Sequence, residues 1–414
     1  MRLDTPEVVS YLEDTVRVWL GLPAASDVPV PQLPEALARR FLRVEEVENE
    51  HRDQWGCWEY GACEAFRRGA LWEPEVDRWL AERRAELAGR TELEPLWPDG
   101  KRFAVSLSHD VDLLSDTVTP GQALRGLRAS LGPPQGGGLG QLVRLARPGV
   151  RAARTLRHGI GRAPAAELLE LALGIEQEHG VTATYFFTVY PDGPSRFDCL
   201  YLPGDRCSFR GETVRIGDVL RAVAADGFDV GLHGSYRSAL EPGRLAHERA
   251  VLEEATGLDV RTTRQHFIHW HVKVTPRLQA EAGLTADSSL GFNRNLGFRC
   301  GTALPFRQLD VERGAPLDLL EVPLVVHDGP LLRADGLELD TDLAREAMRQ
   351  LIDAVAETRG VATLLFHPNN LERAEFLELF RFGIEHGLAA GGWFASLRQI
   401  ERWWRKREAR ILAR

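Results

Sequence analysis

FAVSLSHDVD, residues 103–112, is an apolar strand that runs straight into two acids. Upstream, in DTPEVVSYLEDTVRVWL, PEALARRFLRVEEV and PEVDRWLAERRAELAG, apolar positions return every three or four residues, as on amphipathic helices. Residues 1–100 are therefore expected to form a helical accessory region. Five of the ten tryptophans fall between Trp19 and Trp79, which suggests a packed small domain or a clamp on its larger neighbour. WPDGK at 97–101 is a turn sequence and marks the boundary.

Downstream, over 101–414, short apolar runs alternate with amphipathic helical patterns. The expected strands are 103–109, 182–190, 228–233, 266–270, 284–289, 319–326, 361–367 and 393–397. Helical stretches at 165–180, 242–257 and 341–360 each close on glycine, a good stop signal. Continuous apolar strands separated by helices imply an α/β fold, a parallel sheet covered by helices, and seven or eight such units suggest a barrel. An open doubly wound sheet is the competing architecture, but no G-x-G-x-x-G or phosphate-binding loop follows any strand. A basic insertion at about 115–165, containing GPPQGGGLGQ, interrupts the pattern and is expected to be partly mobile.

Hydrophobic residues make up 44% of the 414 and charged residues 27%, as in globular enzymes. The net charge of −9 divides into +7 on 115–165, +5 on 398–414 and about −21 elsewhere. Nucleic acid would be repelled by most of this surface and is not an expected partner. The two basic segments leave contact with an anionic membrane or lipid carrier open, against solvated or packed helix faces. No apolar run approaches the roughly 18 residues of a membrane span. The acidic N-terminus lacks a signal-peptide pattern, and five cysteines without a C-x-x-C pair read as reduced thiols, so a cytoplasmic location is expected.

Several strands end in a residue able to bind metal or move a proton. They give Asp110 and Asp112, then His233, then Arg264, His266 and Trp270, then Asp287, His327-Asp328 and His367. In a parallel barrel such carboxyl ends converge on one face. Each has a bland reading: a strand-end aspartate caps the next helix, and a lone histidine is usually a bonded core residue. Four such ends plus an arginine fit independent caps poorly. The set suits metal-assisted hydrolysis, in which a divalent ion polarises a carbonyl, a carboxylate takes a proton from water and a histidine protonates the leaving amine. An arginine beside the base would orient it.

Read in order, His-Asp-Val-Asp, Gly-Leu-His-Gly-Ser-Tyr, Arg-Gln-His-Phe, Asp-Ser-Ser-Leu-Gly-Phe with Gly-Phe-Arg-Cys-Gly-Thr, and Leu-Phe-His resemble the polysaccharide deacetylase family. This is the NodB-homology, carbohydrate esterase 4 group, and the resemblance covers about 103–400. It implies a distorted (β/α) barrel of about seven parallel strands and removal of acetyl from an N-acetylated carbohydrate. The implied cofactor is a divalent metal, zinc foremost, with nickel, cobalt or manganese as alternatives. Asp110 resembles the catalytic base, Asp112 and His233 metal ligands, Arg264 the arginine that orients the base and His367 the acid. The family's two acids are usually adjacent, so the roles of Asp110 and Asp112 are open to exchange. Arg237 stands where a second histidine ligand is expected, and His266 is the candidate to replace it. Asp287, Arg299 and Trp270 are candidate substrate contacts, with a structural ion pair the alternative for Arg299. Two other functions compete: a carbohydrate-binding scaffold whose Arg237 fills the ligand position, and hydrolysis of another C–N amide.

Overall fold

β1 (Phe103–Asp110) runs through the middle of the molecule and is buried at every position. Its side chains alternate between two layers: Phe103, Val105 and Leu107 pack under the outer helices, whereas Ala104 faces the interior. The computed structural model describes residues 2–114, 121, 122, 124, 125, 128, 166–191, 193–195 and 197–413. Most of the basic insertion at 115–165, with its expected mobility, lies outside the described residues.

The strands that follow are β2 (Ala183–Phe187), β3 (Arg206–Phe209), β4 (Glu212–Arg215), β5 (Asp229–Gly234), β6 (Thr262–Gln265) and β7 (Ala286–Asp287). After them come β8 (Phe306–Asp310), β9 (Ala315–Glu321), β10 (Val326–His327), β11 (Val361–Leu365) and β12 (Gly392–Phe394). One sheet takes the order β10-β11-β1-β2-β5-β6-β7-β9-β8, and β12 also pairs with β1. Every pairing in it is parallel except the antiparallel β8–β9 edge. The outer helices include Glu167–His179, Ile216–Ala225, Arg244–Thr256, Thr341–Thr358 and Ala374–Ala389. The expected parallel α/β architecture is the observed one.

Three local expectations change. The run at 319–326 is not one strand: β9 pairs with β7 and β10 with β11, at opposite edges of the sheet. Pro323 lies between them, and Val322 and Leu324 donate to Asp287 and Leu290 while Val325 donates to Thr363. The chain itself thus bridges the gap between the two edges and curls the sheet into a barrel. The strand expected at 266–270 ends at Gln265, and His266–Ile268 forms a tight turn with Phe267 and Ile268 at φ 61° and 53°. Left-handed backbone at a β-branched residue is strained and persists only where packing enforces it. Here Trp55 stacks on Phe267, and the Cys57 thiol points at the Phe267 carbonyl, 3.2 Å away. The helix expected to stop on Gly360 stops earlier, with Arg359 in the left-handed cap position at φ 63°. Gly360 is needed for another reason, since a Cβ there would lie 2.8 Å from that of Ala303.

The first hundred residues share a core with the barrel. Val8, Tyr11, Trp19 and Phe41 pack with Trp270, Phe306 and Leu320. Trp19 and Trp97 donate their indole N–H groups to the carbonyls of Pro305 and Arg359. The C-terminal helix, Leu397–Leu412, starts on a Ser396–Gln399 capping box and buries Ile400, Trp404 and Ile411 in the same core. Trp403 donates to the Leu96 carbonyl, and buried Arg407 to those of Pro95 and Val18. The apolar stripe that raised a membrane role is therefore spent on packing. No described helix is long and apolar enough to cross a membrane.

Candidate active site

β1 turns Ser108 and Asp110 toward the barrel interior and His109 outward. His109 is fully buried between Glu176 and the Phe366 carbonyl, at 2.7 and 2.9 Å, and takes no part in the site. Arg264, from β6, is also fully buried. Its guanidinium lies over the Phe186 ring and donates to Ser108 Oγ at 2.8 Å, Asp110 Oδ1 at 3.2 Å and the Ser288 carbonyl at 2.8 Å. The bonds to Ser108 and Ser288 fix the guanidinium, and so the direction from which it bonds Asp110.

Asp112, two residues beyond the strand, is the hub. His233 Nε2 lies 3.4 Å from its Oδ1, His266 Nε2 lies 3.6 Å from the same oxygen, and His367 Nε2 lies 3.7 Å from Oδ2. Burial opposes the charge of Asp112, but His266 and His367 beside it hold its carboxyl well below the usual carboxylate range. His233 also lies 3.8 Å from Asp110 Oδ2. Asp110, Asp112, His233, Arg264, His266 and His367 thus meet in one place, from strand ends more than 250 residues apart.

The histidines are held from behind. His233 Nδ1 is 2.9 Å from the Arg264 carbonyl, so its proton sits there and Nε2 presents a lone pair to the site. That nitrogen is buried and has no hydrogen-bond partner. His266 Nδ1 faces Asp198 Oδ1 at 3.5 Å, and Asp198 accepts from the Tyr236 and Ser195 amides. Burial disfavours the His266 cation, yet Asp112 and Asp198 raise its pKa to about 10. His367 Nδ1 lies 2.7 Å from Asp328 Oδ1, and Asp328 also accepts from the His367 amide and from Asn370. Burial again opposes the cation, but Asp328 lifts His367 to about 9. His327, Asp328 and His367 lie close enough to hold an ion, but three bonds to its carboxylate already make Asp328 the orienter of His367.

The structure withdraws three expected contacts. Asp287 is fully buried beside Glu321 and bonded by Ser289, with no surface for a substrate. Arg299 is 4% exposed and makes a bidentate pair with Glu46 at 2.8 and 2.6 Å, which ties the N-terminal helices to the barrel. Trp270 is fully buried between the Arg43 and Arg299 guanidinium groups. Arg237 points away from the site: it is exposed and pairs with Glu241 at 2.9 Å. Sequence reasoning missed Asp198, Cys199 and the part played by Asp328, because loops after β2 and β10 bring them in and no periodic pattern marks them. It also missed a rim of half-buried aromatics. Trp55 stacks on Phe267 at 5.2 Å, Phe197 lies 4.4 Å from Tyr236, and the Tyr236 hydroxyl donates to the Trp55 carbonyl.

No family model and no curated protein matches this sequence. Solved structures do. A Mycobacterium smegmatis protein assigned to the polysaccharide deacetylases is 21% identical at TM-score 0.49, over 77% of this chain and 96% of its own. A Puue allantoinase is 17% identical at TM-score 0.46, over 77% and 95%. A Pseudomonas aeruginosa PAO1 protein, also assigned to the polysaccharide deacetylases, is 16% identical at TM-score 0.46, over 77% and 96%.

Proposed function

We propose that this protein is a metal-dependent hydrolase that removes acetyl from an N-acetylated sugar. The observation that carries the reading is the Asp112 carboxylate, ringed at 3.4 to 3.7 Å by the Nε2 atoms of three histidines beside an arginine-clamped Asp110. Asp112, His233 and His266 would hold the ion. The orphaned, buried His233 Nε2 fits that role, because an unpaired nitrogen in such a place is costly unless something binds it. Mixed nitrogen and oxygen donors suit zinc, with nickel, cobalt or manganese as alternatives. Such an ion, when bound, polarises the amide carbonyl and makes a water more acidic.

The remaining steps belong to the chain. Asp110, held by Arg264, takes a proton from the attacking water. His367, kept protonated by Asp328, gives a proton to the amide nitrogen as the C–N bond breaks, leaving acetate and a free amine. Trp55, Phe197, Tyr236 and Phe267 form an aromatic cluster next to His266, beside which a sugar ring would lie. With Arg237 turned outward, the scaffold reading loses the blocked ligand position on which it depended. Five buried cysteines, all unpaired, are consistent with a cytoplasmic location.

The test is bound metal together with acetate release from N-acetylated sugars and from a cyclic amide. Wild type is expected to hold one ion and release acetate from the sugar, and His233→Ala and Asp112→Ala to lose both. Full metal occupancy in both variants would sink the assigned ligands. Turnover of the cyclic amide alone would replace the sugar.

A further inference from the structure

The loop after β2 carries a thiol to the same carboxylate, and the deacetylase resemblance calls for none there. Cys199 is 7% exposed, and its Sγ lies 3.5 Å from Asp112 Oδ1. Cys199, Asp112 and His266 each bring a donor atom within 4.8 Å of the other two. Bonds of about 2.0–2.1 Å to nitrogen or oxygen and about 2.3 Å to sulfur put tetrahedral corners roughly 3.3–3.6 Å apart. From Asp112 Oδ1 the separations are 3.5 Å to Cys199 and 3.6 Å to His266, while His233, 3.4 Å from the same oxygen, lies outside that three-atom cluster.

Two further observations point the same way. The His233 Nε2 atom, fully buried and unpartnered, is aimed at this space. The loop backbone is fixed on both sides of the thiol. The Cys199 amide donates to the Tyr190 hydroxyl at 2.9 Å, and the Tyr201 hydroxyl donates to the Val111 carbonyl at 2.5 Å. Meanwhile Arg237, at the position where a second histidine was expected, is engaged with Glu241.

We propose that Cys199 is a thiolate ligand of the metal site, joining Asp112 and His266, with His233 Nε2 facing the same carboxylate. The proposal rests on the metal-site reading above. As the sulfur–metal bond forms, the S–H proton leaves to solvent. An ion held by these residues would supply the polarising charge for the attacking water. A soft donor biases the site toward zinc or cobalt over manganese or magnesium.

Cobalt(II) titration of the full chain gives a readout independent of activity. Wild type is expected to show a near-ultraviolet sulfur-to-cobalt charge-transfer band. Cys199→Ser is expected to lose that band and bind zinc about tenfold or more weakly. Cys207→Ser, which changes a buried thiol elsewhere, is expected to keep it. X-ray absorption on the wild-type zinc form needs no variant, and a sulfur scatterer at about 2.3 Å is expected. Metal bound through nitrogen and oxygen alone overturns the thiolate and leaves the hydrolase reading standing. No binding of zinc or cobalt at all overturns both.

Discussion

Two pairs of acids lie at strand ends in the same sheet, and the protein treats them in opposite ways. Asp110 and Asp112, after β1, face a cleft among cations: Arg264 bonds the first, and three histidines surround the second. Asp287 and Glu321, on the paired strands β7 and β9, face each other in a sealed interior. Burial opposes charge in both places, yet Asp112 is held well below the usual carboxylate range. Asp287 rises to about 6, and Glu321 rises well above its ordinary value. The difference lies in the neighbours. Gln308 and the Leu290 amide donate to Glu321 without charge, and Arg264 only partly offsets burial at Asp287, so the sealed pair favours holding a proton. A strand-end carboxylate is thus a reagent only where cations and an opening accompany it.

The comparison breaks first at Asp110. Asp110→Asn keeps an acceptor for Arg264, so fold and metal content are expected to survive while acetate release falls about 10²–10⁴-fold. Normal turnover in this variant would mean that the proton goes to Asp112, the exchange of roles left open by the separated acids. A smaller loss is expected from Asp328→Asn. Asp328 holds His367 at about 9, and the acid works only while protonated. Without that carboxylate the pKa falls toward the ordinary histidine value of about 6.5. The alkaline limb of the rate profile should therefore move to lower pH, with a loss of about tenfold or more at pH 8. An unmoved limb would remove His367 from the acid role.

How much of this the sequence disclosed follows from range. Parallel strands announced themselves because both faces of the sheet are covered, which leaves apolar runs such as 103–107 and 361–365. The β3–β4 hairpin was missed because ETVR is polar and mostly exposed, and the β8 edge because FRQLD, although largely buried, is polar at three of its five positions. Asp110, Asp112, His233, Arg264, His266 and His367 were legible because each closes or follows a run of strand. Trp270 and Asp287 looked the same by that criterion, and Arg299 came in with the Gly-Phe-Arg-Cys-Gly-Thr motif. They are buried by contacts no local pattern records: the N-terminal helices bring Glu46 to Arg299 and Arg43 to Trp270, and Glu321 and Ser289 enclose Asp287. Cys199 had no signal, since it lies in a loop whose path is set by two tyrosine hydroxyls.

The smallest effect sharpens the other side of the comparison. Asp287→Asn should leave acetate release within about threefold, because the residue has no surface to offer a substrate. Its effect belongs to stability and has a definite sign. The folded pKa of about 6 exceeds the reference 3.8, so folding tightens proton binding. That contribution is present in full below about pH 4 and is lost as pH rises through 6. Asparagine keeps a donor for Glu321 and has no such slope. The melting temperature of the variant relative to wild type should therefore climb between pH 4 and 7, by about 1–3 °C. A flat difference would mean that the pair holds no extra proton. A folded variant with activity down a hundredfold would return Asp287 to the chemistry and erase the contrast between the two acid pairs.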